Sequence, residues 1–354
     1  MSTTRLLSGL VEARTAAAVE TILRELPVVS PDDYHWDSSS KRTGKWRPGH
    51  LHWMPVGLQR GNAGRIRLAS EPTNPIAERL INGMEAIIEL ERLRELLKEP
   101  RAPEPPNPRE AVMHYFGLPR LDSIERMEVA QRDEMRDLID QVRRKLAIRL
   151  AYDKKRREFA VLVRDAGMGQ SPSRMHETLL SLGESDKPDK PYLIGLFGQG
   201  GSSAFMASEY SVILSRRAPD ILESGEDDGI GWSIVRHIFP KGRRDPYFAY
   251  LAASEDGAVP RADNAVAEKV GFAHGSHFCH IKYDFGGSES AIARLLYQAL
   301  NHVLFNPILP YDLFTIGKER PELMQGTAQR LARQVRLIGR QAALDKSFAS
   351  QSVV

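Results

Sequence analysis

The chain has 354 residues, with 49 Lys and Arg against 46 Asp and Glu, a net charge of +3 and a hydrophobic fraction of 42%. That balance fits a soluble globular protein of one large domain or two ordinary ones, and its charge is too weak to imply nucleic acid as a partner. One cysteine, Cys279, excludes an internal disulfide and a cysteine-rich zinc site, and no apolar run approaches the ~18 residues that span a bilayer. The N-terminus is broken by Glu12 and Arg14 and holds no signal-peptide core, so the expected compartment is the cytoplasm and no membrane partner is expected.

Residues Thr4 to Leu26 carry apolar side chains at near-helical spacing, stopped by Pro27. They predict one helix, either a packing element or an arm reaching a second subunit. A polar loop over Ser30 to Gly49 follows, then a predicted hairpin from Trp53–Leu58 and Arg65–Ala69 around Gly61-Asn62-Ala63-Gly64. Asn74-Pro75 starts a strong helix, NPIAERLINGMEAIIELERLRELLKE. Ala77, Leu80, Ile81, Met84, Ile87 and Ile88 form its apolar face. Glu78, Asn82, Glu85 and Glu89 share the opposite face, which by itself reads as solvated. Gly83 in mid-helix costs about 1 kcal/mol relative to Ala and marks the close approach of something, such as a ligand.

PRAPEPPNP, residues 100–108, fits neither helix nor central strand and opens an inserted segment. Leu121 to Tyr152 then reads as one long charged helix with a basic end. Phe159 to Val163 is a strand, running into Asp165-Ala166-Gly167-Met168-Gly169. A carboxylate at the carboxyl end of a strand, followed by two glycines, builds a ligand-facing turn, although an ordinary Asp-Gly turn has the same pattern. Pro172 to Leu182 predicts a short helix, and the polar, Pro-broken stretch Gly183 to Pro191 a mobile lid.

The richest stretch is YLIGLFGQGGSSAF, Tyr192 to Phe205. Its glycines leave backbone N–H groups open to a ligand, and a following helix start favours anions, which together make a phosphate cradle. No Lys-Ser/Thr follows the last glycine, so it is not a Walker loop, and it lacks the Rossmann spacing. Further strands are predicted at Tyr210–Ser215, Gly231–Phe239, Tyr247–Ala252 and Ser276–Tyr283. His274, His277, Cys279 and His280 invite a metal reading that strand alternation opposes, since Cys279 and His280 point to opposite faces. Helices over Ser290–Val303 and Glu322–Leu344 close the chain, the second bearing Arg330, Arg333, Arg336 and Arg340 for solvent, a partner or nucleic acid.

Three motifs thus stand in order: Glu78-x-x-x-Asn82-x-x-Glu85-Ala86, Asp165-x-Gly167-x-Gly169 and Gly195-x-x-Gly198-x-Gly200-Gly201. The succession resembles the Bergerat ATP-binding fold of the GHKL superfamily, which spans type II topoisomerase subunits, large heat-shock chaperones, MutL and MORC proteins and histidine kinases. Gly275-Ser276 entering a strand is similar to the Gly-Thr that closes the adenine pocket there. The resemblance covers roughly Pro72 to Asp284 and is closest to the chaperone, MORC and MutL branch.

It implies an α+β, two-layer α/β sandwich, a mixed sheet with helices on one face. The expected organisation is an N-terminal helix and hairpin over residues 1–70, the ATP-binding domain over 71–285 with a helical insertion at about 100–157, and a helical extension over 286–354. ATP and Mg²⁺ are the implied ligands. Glu78 resembles the general base and Asn82 the magnesium ligand, with Glu85 beside them. Asp165 resembles the adenine-amine acceptor, joined through water by Ser276. Gly167, Met168 and Gly169 would line base and sugar, and Leu196, Phe197, Gly198, Gln199, Gly200 and Gly201 would hold the phosphates. Glu85 is one methylene longer than the family's Asp, and no lysine after Asp284 matches the transducer lysine that reaches the γ-phosphate. A fragment, a minimal member and half of a two-protein system all fit that departure.

The function implied is a Mg-dependent ATPase switch, a homodimer on ATP binding, acting on a protein or DNA client in bacterial genome maintenance or antiviral defence. A histidine-kinase-like phosphotransferase is the first alternative, although no histidine lies in Thr4–Leu26. A non-catalytic nucleotide-binding module of a larger complex is the second.

Overall fold

A computed structural model describes residues 2–36, 42–64, 66, 69, 71–182, 190–194, 202–239, 241 and 246–351, with 341–351 as helix backbone. The predicted lid falls mostly outside these residues, and the glycine cradle Gly195–Gly201 entirely so.

The N-terminal stretch forms two helices, α1 (Thr3–Glu12) and α2 (Ala16–Glu25), where one was expected. Thr15 decides the break. It caps α2 by accepting from the Ala18 N–H at 3.3 Å, and the Glu158 carboxylate accepts from the Ala16 N–H at 2.9 Å. Strands β1 (His35–Trp36) and β2 (Arg42–Thr43) pair with each other. β3 (His52–Pro55) pairs with the distant strand β8 (Tyr247–Ala252), so the expected hairpin at 53–69 does not form. Asn62 replaces it as the local organiser: its side chain donates to the Val56 and Phe248 carbonyls and accepts from the Phe248 N–H.

Helix α3 (Asn74–Lys98) carries Pro75 in its first turn. Two more helices follow, α4 (Pro108–Phe116), capped by Asn107, and α5 (Val129–Arg143), opened by a Glu128/Gln131 capping box. The expected long helix stops there. Leu146–Asp153 is strand β4, with Leu146, Ile148 and Leu150 buried and the intervening residues more exposed. The insertion is therefore helical only up to β4. Next come β5 (Glu158–Asp165), the single turn α6 (Ser203–Met206), β6 (Tyr210–Arg216), β7 (Ile230–Ile238), β8, β9 (Arg261–Ala262), β10 (Gly275–Ile281) and α7 (Ile292–Val303). Pro172–Leu182 forms turns and not a helix. After α7 the chain returns to the sheet through β11 (Tyr311–Phe314) and β12 (Glu322–Met324) before α8 (Gly326–Gln351). The C-terminal region is thus not purely helical, and α8 starts four residues after Glu322 because Glu322–Met324 pairs with β11.

The ordered path of the main sheet is β12-β11-β4-β5-β10-β6-β7-β8-β3, with β9 beside β7. β11 runs parallel to β4 and the other pairings are antiparallel, so the sheet is mixed and the fold α+β. On one face Ile148, Leu150, Val161 and Val163 pack under α3, α4, α5 and α7. Each such fully buried side chain contributes roughly 1.5–3 kcal/mol. The other face corrects the one-sided expectation: Ala160, Leu162, Val212, Leu214, Cys279 and Ile281 pack under Leu7, Leu10, Val19 and Ile22 of α1 and α2. The N-terminal helices are a packing layer on the back of the sheet.

Candidate functional site

Helix α3 crosses the carboxyl end of β5, and Gly83 sets how closely. A Cβ there would lie 2.7 Å from Leu146 Cδ1 and 3.3 Å from Asp165 Cβ. The close approach read from the mid-helix glycine is to this strand end, not to a ligand. One turn further on, the chain leaving β5 lies main chain against main chain on α3. The Met168 N–H donates to the Ala86 carbonyl at 2.9 Å, and a Cβ on Gly167 would sit 2.6 Å from the Ala86 carbonyl carbon. Gly169 follows at φ +62, with the Arg216 carbonyl oxygen 1.8 Å from where a Cβ would be. Gly167→Ala is therefore expected to destabilise the fold by about 1–3 kcal/mol, read from the urea midpoint. A wild-type midpoint would mean that the turn does not rest on Ala86.

Asp165 ends β5 only 5% exposed. Its Oδ1 accepts from the N–H of Gly167 at 2.9 Å and of Ser276 at 3.2 Å. Among the described residues no donor reaches Oδ2. Burial pushes its carboxyl up to about 7, against the opposing pull of those two N–H groups and of Arg164. Ser276 is paired in register with Asp165 across β10 and β5. Its hydroxyl lies 3.1 Å from that of Ser215, which donates to the Gly275 carbonyl and accepts from the Gln170 N–H at 2.9 Å. His274 Nδ1 lies 2.8 Å from the Gly167 carbonyl. Ser215 and His274 thus clamp both sides of the turn. Sequence reading passed over both; the spacing of Ser215, across β6 from the strand carrying Ser276, becomes visible only with register.

The polar face of α3 splits in two. Glu78 and Asn82 are half-buried. Glu85 and Glu89 are buried, which corrects the solvated reading of that face. The Glu85 carboxylate accepts from the Ile194 N–H at 2.8 Å, and Glu89 takes Lys190 Nζ at 2.6 Å and the Tyr192 hydroxyl at 2.7 Å. These two acids anchor residues 190–194, the chain leading into the glycine-rich stretch. Glu85 therefore serves that lead-in segment. Glu78 fronts a cleft of about 690 Å³ between the start of α3 and the end of α7, with Ile81, His302 and Val303 on its walls. The cleft reaches Glu78 but none of the residues around Asp165.

Arg79, next to Glu78, was not singled out by sequence. It is buried, 4.1 Å from the Phe278 ring centroid and 5.4 Å from that of Phe205, and its Nε and Nη2 have no acceptor. Burial lowers its guanidinium to about 10, opposed by the Glu78 charge. The stack ties α3 to α6 and β10 by cation–π contact. α6 is a single turn, so it adds little dipole to the glycine-rich stretch before it.

His280 and Cys279 do face opposite ways. His280 Nδ1 lies 2.7 Å from the Ser211 hydroxyl, and Cys279 Sγ contacts the Ala13 carbonyl on the back face. Among the described residues no three His, Cys, Asp or Glu side chains converge on a metal position, and no helix is long and apolar enough to cross a membrane. No protein-family model matches the chain, and no curated protein matches it in sequence.

Proposed function

We propose that the chain is a Mg-dependent ATP-binding and hydrolysing switch of the GHKL type, acting on a protein or DNA client. One observation carries the reading. Asp165 is an almost fully buried carboxylate with one oxygen committed to two backbone N–H groups and no described donor to the other. An acceptor left this way at a sheet end suits an exocyclic amine, since a buried polar atom without a partner is costly. Gly167 and Gly169 bring bare main chain beside it, which suits a flat base.

Asn82 and Glu78 lie one and two turns before Ala86, on which the Asp165 turn rests. A base held at Asp165 would project its phosphates along this face of α3. Asn82 offers one oxygen to a hard cation. Magnesium asks for little more from protein when phosphate oxygens complete its shell, and it neutralises their charge. Glu78, half-exposed beside an open cleft, is placed to take a proton from water. Gly198 to Gly201 would receive the phosphates, and they lie outside the described residues.

The test is ATP binding by calorimetry beside steady-state phosphate release from the purified chain. Binding with turnover supports the switch. Binding without turnover leaves the non-catalytic module, and no binding removes the nucleotide reading altogether.

A further inference from the structure

Helix α8 is mounted inside out. Its polar side faces the body: Gln329 is buried and donates to Glu125 at 2.7 Å, while Arg336 Nε donates to the same carboxylate at 2.8 Å. Its apolar side faces solvent, with Leu331 54%, Val335 71% and Ile338 66% exposed. An amphipathic helix ordinarily does the reverse. The orientation is held by the Glu125 pairs and by Thr327, whose hydroxyl donates to the Asn301 carbonyl at 2.8 Å.

The spacing and flanks of this stripe say what covers it. Steps of four and three between Leu331, Val335 and Ile338 are those of a coiled-coil seam. The positions bordering it are Ala332, Gln334 and Gly339: small or uncharged, allowing close approach and setting no like charges against each other. No acidic residue occurs from Gly326 to Arg340, yet the cations do not border the stripe. Arg333 and Arg340 stand two residues from stripe positions, roughly 200° around the helix. An acidic helix would want cations at the seam's edges, and so would an anionic membrane. An identical helix needs only the apolar rows and neutral borders.

We infer that α8 pairs through Leu331, Val335 and Ile338 with the same stripe on a second copy of the chain, independently of nucleotide. Such contacts between copies are symmetric, so each stripe residue meets its own counterpart or a neighbour. The seam is short, so association falls in the weak, micromolar range.

Sedimentation velocity of the full chain without nucleotide, from about 1 to 100 µM, tests this by mass action. Wild type is expected to pass from monomer to dimer over that range. Val335→Glu, on an exposed position, is expected to stay monomeric with native circular dichroism, and Arg333→Glu to dimerise as wild type does. Val335→Cys supplies an independent readout, because the native Cys279 is buried. Mild oxidation is expected to link two Val335→Cys chains and not two Arg333→Cys chains. A wild type that is monomeric throughout, a Val335→Glu chain that still dimerises, or a monomer that binds anionic vesicles through this stripe would each overturn the inference. Because no nucleotide is present, these results stand apart from the fate of the ATPase reading.

Discussion

Glu78→Ala is expected to bind ATP nearly as wild type does and to release phosphate about 10²–10⁴-fold more slowly, the usual contribution of a general base. The expectation follows from where the side chain stands. Glu78 is half-buried on α3, at the wall of a cleft, and the apolar contacts of that helix lie on other residues. Alanine is the best helix former, so α3 survives the exchange. Removing one carboxylate near triphosphate relieves repulsion, so affinity holds or rises. The variant should also collect in any closed, ATP-bound dimer, visible by light scattering with ATP present. The comparison to make is phosphate release beside equilibrium binding, in both proteins. Equal turnover would remove Glu78 as the base. Its neighbour Arg79 keeps a cation buried beside it, so the acid limb of the rate profile is worth recording in the same experiment.

Asp165→Asn is expected to weaken ATP binding by about 2 kcal/mol, roughly 30-fold, as for loss of a charged hydrogen-bond partner. Asparagine keeps an oxygen for the Gly167 and Ser276 N–H groups, but it replaces the second oxygen with a donor that faces the base amine. Two pH effects accompany the loss. The Asp165 carboxyl is held up to about 7 by burial, so below that pH the folded protein carries a proton that an amine ligand must displace. Wild-type affinity should therefore rise with pH, by up to about tenfold per unit below neutrality, and level off above about 7; the variant should lack this dependence.

Stability runs the other way. Between the ordinary aspartate range and about 7, the folded chain holds a proton that the unfolded chain releases. This group's contribution thus falls as pH rises through that window, by on the order of 4 kcal/mol in all, and is flat above it. Asp165→Asn does not titrate, so it should melt above wild type at pH 8 and close to it at pH 4. A variant that is weaker in binding yet more stable at pH 8 would mark a carboxylate kept for function. A variant that binds ATP as wild type does at every pH would remove Asp165 from the pocket.

Local pattern alone placed several parts of this chain. FAVLV and YFAYLA are unbroken apolar runs, and they became central strands β5 and β8 because both faces of the sheet are covered. Asn74-Pro75 announced α3, and Asp165 with its two glycines announced the turn. Each signal depends on a few adjacent residues. Other features depend on partners far along the chain, and only the tertiary structure decided them. LAIRLAYD after a charged helix satisfies a helical period about as well as a strand period, and pairing with β5 and β11 settles it as β4. Glu85 and Glu89 share a helix face with Glu78 and Asn82. They are buried because residues 190–194 return over them about a hundred positions later.

The same holds for α8. Periodicity states which side chains share a face, but it is silent about which face meets the body. Glu125 draws the polar side of α8 inward and leaves Leu331, Val335 and Ile338 outside. Sequence thus fixes the faces of each element through short-range geometry. The choice of what each face touches comes from long-range hydrogen bonds and burial, which no window of neighbouring residues contains.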